Sequence, residues 1–517
     1  MKNGRIENTL RIMVSKNIKQ IVELITSFFT RTFFIHCLGA DYLGLNGLFS
    51  SILSALSLAD LGVGSAIVFH LYKPIAVGDE EEIKKLVRFY KTCYLIIGTF
   101  IFIVGCCLIP TLPYIVNFDT NVDLNLYIIY ILYLFNTASS YWFYSYLQSV
   151  ANAYQKQDIV NKYVSLFKIV TSLICSAGLI ISRNYYVYLV AQIIVTFAQN
   201  ICIRKKLFEI FPVIRKLKGY KLEHCKVMRI FKDVSAIMVD RVSNTLSTSF
   251  DSLIVSAFVS TTMVGYISNY MLINGMVIGV ATSIATAAYA SIGDLVSTSD
   301  TERQIKVFKK LDFANHYLLY FVCVCETVLA TPFIILWSGD SYTVSFPVIF
   351  CIYFDAYIYN LLWPIWGFKD GMGLFNKGKF LKLIRGVINI VMSIAVCRKY
   401  GAFGVYFASL ITNLLITVPN FTYIVFRYGF NKSPREQLVK VLFRMCLTVS
   451  VIFITRYLCG LLGTVSIVSF IGMMAICSVV PNLIFFLLYH KTSEWKELQN
   501  KYFIPILNRV KHINSSK

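Results

Sequence analysis

The chain has 517 residues, 57% of them hydrophobic and only 15% charged, with a mean hydropathy of +0.65. Apolar runs of about 20 residues recur from end to end, each long enough for a helix to cross a hydrocarbon core of about 30 Å. The composition excludes a water-soluble protein and predicts an all-α polytopic membrane protein, whose net charge of +22 reflects topology and attraction to anionic lipid rather than nucleic-acid binding.

In chain order the runs predict about fourteen transmembrane helices, near 17–38, 44–70, 92–115, 124–149, 160–181, 185–203, 233–258, 263–291, 311–337, 344–367, 380–397, 402–426, 438–459 and 463–489. The opening "MKNGRIENTLRIMVSKNIK" is basic but has no short apolar core with a small-residue cleavage site, so the first helix is expected to stay in place. Lys and Arg crowd alternate loops: Lys2, Arg5, Arg11, Lys16 and Lys19 before the first span, Lys73 to Lys91 after the second, and ten between Arg204 and Lys232. The opposite loops at 117–125, 259–262 and 337–345 have none, with Arg183, Arg398 and Lys399 as exceptions. The positive-inside bias therefore puts both termini in the cytoplasm. The 14 cysteines lie mostly within spans, where they act as small apolar residues; no disulfide, metal site or cofactor is expected.

Displacing the sequence against itself by 221 residues places "YLGLNGLFSSIL" (42–53) on "MVGYISNYMLIN" (263–274), with Gly44 on Gly265. The charged loops at 78–91 and 299–310, Trp142 and Trp363, and "IVTSLI" and "IVMSIA" share that offset to within a residue. Two parallel six-helix repeats follow, of the kind that bind substrate between the halves. The expected organisation is an N-terminal six-helix bundle at 1–203, a basic cytoplasmic linker at 204–232, a C-terminal six-helix bundle at 233–427, two additional peripheral helices at 428–490 and a tail at 491–517.

Charges within spans are costly, so they face a cavity or a partner. They are Glu23, Arg31 and His36 in the first span, Asp60 in the second, Lys168 in the fifth, Arg241 and Asp251 in the seventh, His316 and Glu326 in the ninth, Asp355, Arg385 and Arg456 further on. Arg31 and Arg241 lie about 21 and 12 Å along their helices, beyond easy snorkelling, on repeat-equivalent spans. Paired guanidinium groups suit a phosphate or pyrophosphate. The competing reading pairs Arg31 with Glu23 or Asp60, and Arg241 with Asp251, merely to hold helices together. Lys168 and Arg385 are either further cationic ligands or snorkelling anchors. Glu326 and Asp355 have no evident ionic partner. Gly275, Gly279, Gly62 and Gly64 read as close helix contacts, and the aromatics at 141–146 as an interfacial belt or a sugar-stacking surface.

Residues 30–76, "TRTFFIHCLGADYLGLNGLFSSILSALSLADLGVGSAIVFHLYKPIA", resemble the N-terminal signature of bacterial polysaccharide flippases, which move lipid-linked oligosaccharides across the plasma membrane. Those flippases belong to the multidrug, oligosaccharidyl-lipid and polysaccharide exporter superfamily. Residues 249–273, "SFDSLIVSAFVSTTMVGYISNYMLI", resemble the counterpart opening the second half, and the resemblance runs over roughly residues 10–490. It implies two bundles forming a V-shaped central cavity, plus two added helices. In the related lipid II flippases the first helix carries an arginine, which Arg31 matches; Arg241 lies in the seventh helix and departs from that pattern.

The resemblance implies a transporter, not an enzyme: a monomer that flips polyprenyl-pyrophosphate-linked repeat units by alternating access, working beside a polysaccharide polymerase. The expected pyrophosphate ligands are Arg31, Arg241, Lys168 and Arg385. No Walker motif is present, so direction must come from the membrane potential or an ion gradient, with Asp60 and Asp251, alongside Glu23 and His36, as coupling or charge-pairing groups. The rival readings are a cation-coupled multidrug antiporter of the same superfamily, a membrane polymerase or glycosyltransferase, for which the short external loops offer only "DTNVD" as a close acidic pair, and a membrane scaffold, which has no need of so many buried ions.

Overall fold

The computed structural model describes residues 2–57, 63–117, 125–143, 145–217, 219–223, 226–228, 230, 249–374 and 377–498. The described residues are helical with no strands, and eleven helices are long and apolar enough to cross a membrane. They coincide with the first, third, fifth, sixth and eighth to fourteenth predicted spans. The second, fourth and seventh predicted spans fall partly outside the described residues, at 58–62, 144 and 231–248.

The chain divides into two compact units, Met1–Tyr266 and Ile267–Lys517. Unit 1 contains α1 (Lys2–Leu38), α2 (Ala40–Leu56), α3 (Val63–Val77), α4 (Glu80–Cys107), α5 (Leu126–Phe143), α6 (Ser145–Ala153), α7 (Gln157–Ser182), α8 (Tyr185–Ile210) and α9 (Ser249–Phe258). Lipid is as apolar as leucine, so helices in a bilayer associate through close packing and polar contacts. Between α1 and α7 these contacts form a seam. Asn161 donates to Ser15 at 3.0 Å, and the Ser172 hydroxyl meets Thr30 at 2.7 Å and the Thr26 carbonyl at 3.2 Å. Helix α4 begins with Asp79 accepting from the Glu82 N–H at 3.0 Å, and Glu80, Glu81 and Glu82 complement the positive end of its dipole. At this basic end, Leu71, Val87, Leu147, Ile203 and Leu207 of α3, α4, α6 and α8 form a buried cluster.

A close crossing joins the starts of α2 and α10 (Thr261–Thr298). A Cβ on Gly44 would sit on the Thr261 carbonyl, and one on Gly265 would lie 2.6 Å from the Ala40 carbonyl and 2.8 Å from the Gly44 nitrogen. The contact is reciprocal at a separation of 221 residues, the separation of the Asp41–Thr262 hydrogen bond, in which the Thr262 hydroxyl donates. By contrast, Gly275 faces open space among the described residues, which corrects its reading as a close contact; Gly64 does meet the Tyr94 hydroxyl. Trp142 packs on Gly98 and beside Phe102, and Tyr141 stacks on Tyr94. Tyr141 and Trp142 therefore contribute to α4–α5 packing.

Unit 2 continues α10 and adds α11 (Thr301–Ser338), α12 (Phe346–Leu361), α13 (Trp363–Gly371), α14 (Lys379–Tyr400), α15 (Ala402–Thr412), α16 (Val418–Ile424), α17 (Arg435–Gly460), α18 (Ile467–Tyr489) and α19 (Ser493–Leu498). Prolines shape it. Pro364 has no N–H for the Asn360 carbonyl, so α12 and α13 separate there, and the Asn315 amide donates to that carbonyl at 3.2 Å. Pro481 likewise frees the Cys477 carbonyl, which accepts from the Cys325 thiol at 3.6 Å, while Tyr320 donates to the Pro481 carbonyl at 2.9 Å. Pro419 lies just past a π-helical turn, Asn413–Thr417, that links α15 to α16.

The last two crossings, α17 and α18, both pack on α11. Arg444 of α17 pairs with Asp312 of α11 at 2.7 Å, both being buried, and the Tyr489 hydroxyl hydrogen-bonds Arg444. One turn further along, Thr448 donates to Tyr357 at 3.1 Å, and Tyr357 meets His316 Nδ1 at 3.2 Å. A continuous polar chain thus ties α17 and α18 to α11 and α12.

Candidate functional site

Arg31 lies on the last two turns of α1, a helix whose apolar residues keep it within the bilayer. Its guanidinium is within electrostatic reach of Tyr188 on α8, and the Tyr188 hydroxyl hydrogen-bonds Asn46 on α2. Tyr188 stacks on Tyr185 at 6.1 Å, Tyr185 shares a 3.0 Å hydrogen bond with Tyr133 of α5, and Phe34 and Tyr42 pack edge-on against the pair. The Arg31 cation of α1 therefore faces an aromatic cluster of α8 whose hydroxyls, one of them bound to the Asn46 amide of α2, are hydrogen-bonding groups. Glu23 is not its partner: Glu23 forms an i,i+4 pair with Lys19 at 3.6 Å. Asp60 and Arg241 lie outside the described residues, so neither the Arg31–Asp60 nor the Arg31–Arg241 pairing is described.

The remaining predicted residues are dispersed. Lys168 is exposed on α7 beside the exposed Leu166 and Ile169, the surroundings of a snorkelling side chain. His36 is exposed at the end of α1, and Asp251 is buried in α9. Arg385 of α14 is buried, within electrostatic reach of Asp355 on α12. The Asp355 carboxylate accepts from Asn413 at 2.6 Å, and Glu326 accepts from Asn274 at 2.7 Å. Both unassigned carboxylates therefore have amide partners. A scan for charges misses these donors; the asparagines stand out in apolar runs only when neutral polar residues are tracked too.

Unit 1 also contains a polar cavity of about 510 Å³ between α3, α4, α6 and α7. Tyr72, Tyr94, Ser145, Gln148, Ser149 and Asn152 line it. Among the described lining residues, hydroxyls and amides with aromatic faces and no charged group form a surface suited to a neutral polyhydroxylated ligand.

No protein-family profile matches the sequence, and no curated protein matches it. Solved structures do. The lipid II flippase MurJ, in an inward closed conformation, is 14% identical, with a TM-score of 0.64 over 93% of this chain and 98% of its own. An inward-facing multidrug resistance MATE transporter of the MOP superfamily is also 14% identical, with a TM-score of 0.63 over 83% of this chain and 98% of its own. The chain has the MOP superfamily fold. A Vibrio cholerae MATE transporter, 11% identical, aligns with a TM-score of 0.56 over 82% of this chain and 99% of its own.

Proposed function

We propose that this MOP-fold protein is a transporter, not an enzyme, that flips a polyprenyl-pyrophosphate-linked oligosaccharide between the leaflets of a bacterial plasma membrane by alternating access. Arg31 carries the reading: a guanidinium deep in a span, within electrostatic reach of the Asn46-bound Tyr188, is costly, and a diphosphate would use its forked donors. The cavity of unit 1, whose described lining residues are uncharged, supports a glycan as the remainder of the substrate. The longer match to a lipid II flippase than to a MATE transporter, 93% against 83% of this chain, favours a lipid-linked substrate over a multidrug antiporter. The two crossing arrays extend from residue 1 to 203 and from 233 to 427, joined by the 204–232 linker, with 428–490 as the extra pair and 491–517 as a tail. Arg241, Lys168 and Arg385 are the other cations proposed for the pyrophosphate, and Asp60 and Asp251 the groups proposed for ion coupling.

The test is the accumulation of lipid-linked oligosaccharide in the cytoplasmic leaflet. Arg31→Ala should raise it severalfold at normal protein abundance, and Arg31→Lys should do so partly, because Lys keeps the charge and loses the fork. Unimpaired export by Arg31→Ala overturns the assignment. Orientation is tested separately: in a cysteine-free background, a cysteine at the exposed Ser182 or Ser341 should label from outside and one at Lys216 should not. Thr261 is unsuitable, because it is fully buried.

A further inference from the structure

At the basic end of unit 2 a cavity of about 360 Å³ opens between α11, α17 and α18. Lys309, Gln437, Lys440, Arg444 and Tyr489 contribute to its lining. The acidic groups in its wall are largely engaged: Asp312 by Arg444 at 2.7 Å, and, beside the mouth, Glu436 by Lys440 at 2.6 Å. Glu494 closes the opposite rim, and Lys432, Arg435 and Lys491 lie close in sequence to the lining residues, leaving the region basic. Gln437 is 4% exposed, and its side-chain Nε2 has no hydrogen-bond partner among the described residues. A buried N–H calls for an acceptor, and the lysines beside it favour an anionic one.

The next turn of the same helix is apolar and faces outward: Val439, Leu442 and Phe443 are 65%, 54% and 55% exposed. A soluble anion would leave that stripe unused. We propose that the cavity binds the phosphate headgroup of an anionic membrane phospholipid, with its acyl chains along Val439, Leu442 and Phe443. The phosphate oxygens accept from Gln437 Nε2 and the ammonium groups of Lys309 and Lys440. Basic pockets between transmembrane helices are where anionic headgroups are held, and each lysine near the surface contributes about a fivefold gain in affinity. The site lies within unit 2 and does not depend on the flippase reading.

The full-length protein in detergent is titrated with short-chain phosphatidylglycerol or phosphatidylcholine, and bound lipid is counted by native mass spectrometry. The wild type should prefer phosphatidylglycerol by tenfold or more, and Lys309→Ala/Lys440→Ala should lose about 25-fold in phosphatidylglycerol affinity. Gln437→Leu should lose several-fold while phosphatidylcholine binding stays unchanged. Lys162→Ala, on α7 of unit 1, should change nothing. Equal binding by the wild type and the lysine double variant overturns the proposal. Displacement of phosphatidylglycerol by inorganic phosphate at equal concentration overturns the lipid assignment and leaves a free-anion site.

Discussion

The two units bury their spans to different extents. In unit 1 the apolar windows of α1, α4, α7 and α8 are 17–28% buried, whereas those of unit 2 run from 22% at α18 and 28% at α14 to 50% at α11 and 67% at α12–α13. The extra helices account for the difference at α11: α17 and α18 pack on it, and the Asp312–Arg444 pair gives them a fixed register. Among the described residues, unit 1 has no such wrapping. Its helices meet through small residues and hydroxyl groups, as at Ser15–Asn161 and Gly44–Thr261. Unit 2 thus adds an ionic anchor to the steric contacts that it also makes, as where Gly404 of α15 meets the Val396 backbone of α14.

The contrast predicts where the chain breaks most easily. Arg444→Ala strands a buried carboxylate and should cost about 3–5 kcal/mol, read as a large fall in melting temperature in detergent. Arg444→Met with Asp312→Leu should restore most of that loss, because it removes both charges together. Next comes the glycine crossing: Gly44→Ala drives a methyl into a backbone carbonyl and should cost about 1–3 kcal/mol. Gly275→Ala, with open space around it among the described residues, should stabilise by up to about 1 kcal/mol through helix propensity. If Gly44→Ala proves neutral, the steric half of the comparison fails.

Smaller effects sharpen the same picture. Asn274→Leu removes the amide from Glu326 and should cost about 1–3 kcal/mol. Glu326→Gln keeps a hydrogen-bonding group there and should be nearly silent in thermal stability. The smallest effect belongs to the Lys226–Glu82 pair at the basic end of unit 1, 2.8 Å apart but solvent-exposed. Lys226→Ala should cost about 0–1 kcal/mol. The hydrogen bond to Glu82 holds the Lys226 ammonium above its usual range. Its contribution is therefore complete below the ordinary lysine value of about 10.4 and disappears as the pH rises through the folded one. A wild-type to variant difference in melting temperature that grows with alkalinity would contradict that sign.

The positions of the crossings were readable because a bilayer allows only long apolar helices with charged residues beyond their ends. Arg31 was readable for the same reason, standing too far from either end to escape. Arg444 was not, because nine residues into α17 it looks like part of the basic collar that begins at Arg435, and only the fold brings Asp312 opposite. Asn274 and Asn413 were hidden by neutrality: a search for ion pairs leaves Glu326 and Asp355 unmatched when their partners are amides. The prolines were visible as letters, but the Asn315 amide that replaces the hydrogen bond lost at Pro364 comes from another helix and has no local signature.

The crossing of α2 and α10 has one further implication. Reciprocal contact between two matching stretches is the geometry of a symmetric dimer, in which every residue near the axis faces its own copy. In such a dimer an aspartate at position 41 would confront a second aspartate, and mutual repulsion would push the helices apart. Joining both stretches in one polypeptide lifts that restriction. Here Asp41 faces Thr262, whose hydroxyl donates to it, and the carbonyl of Ala40 abuts Gly265 while that of Thr261 abuts Gly44. Covalent linkage lets an acceptor meet a donor close to a local twofold, a complementarity that two identical chains cannot write into a single sequence.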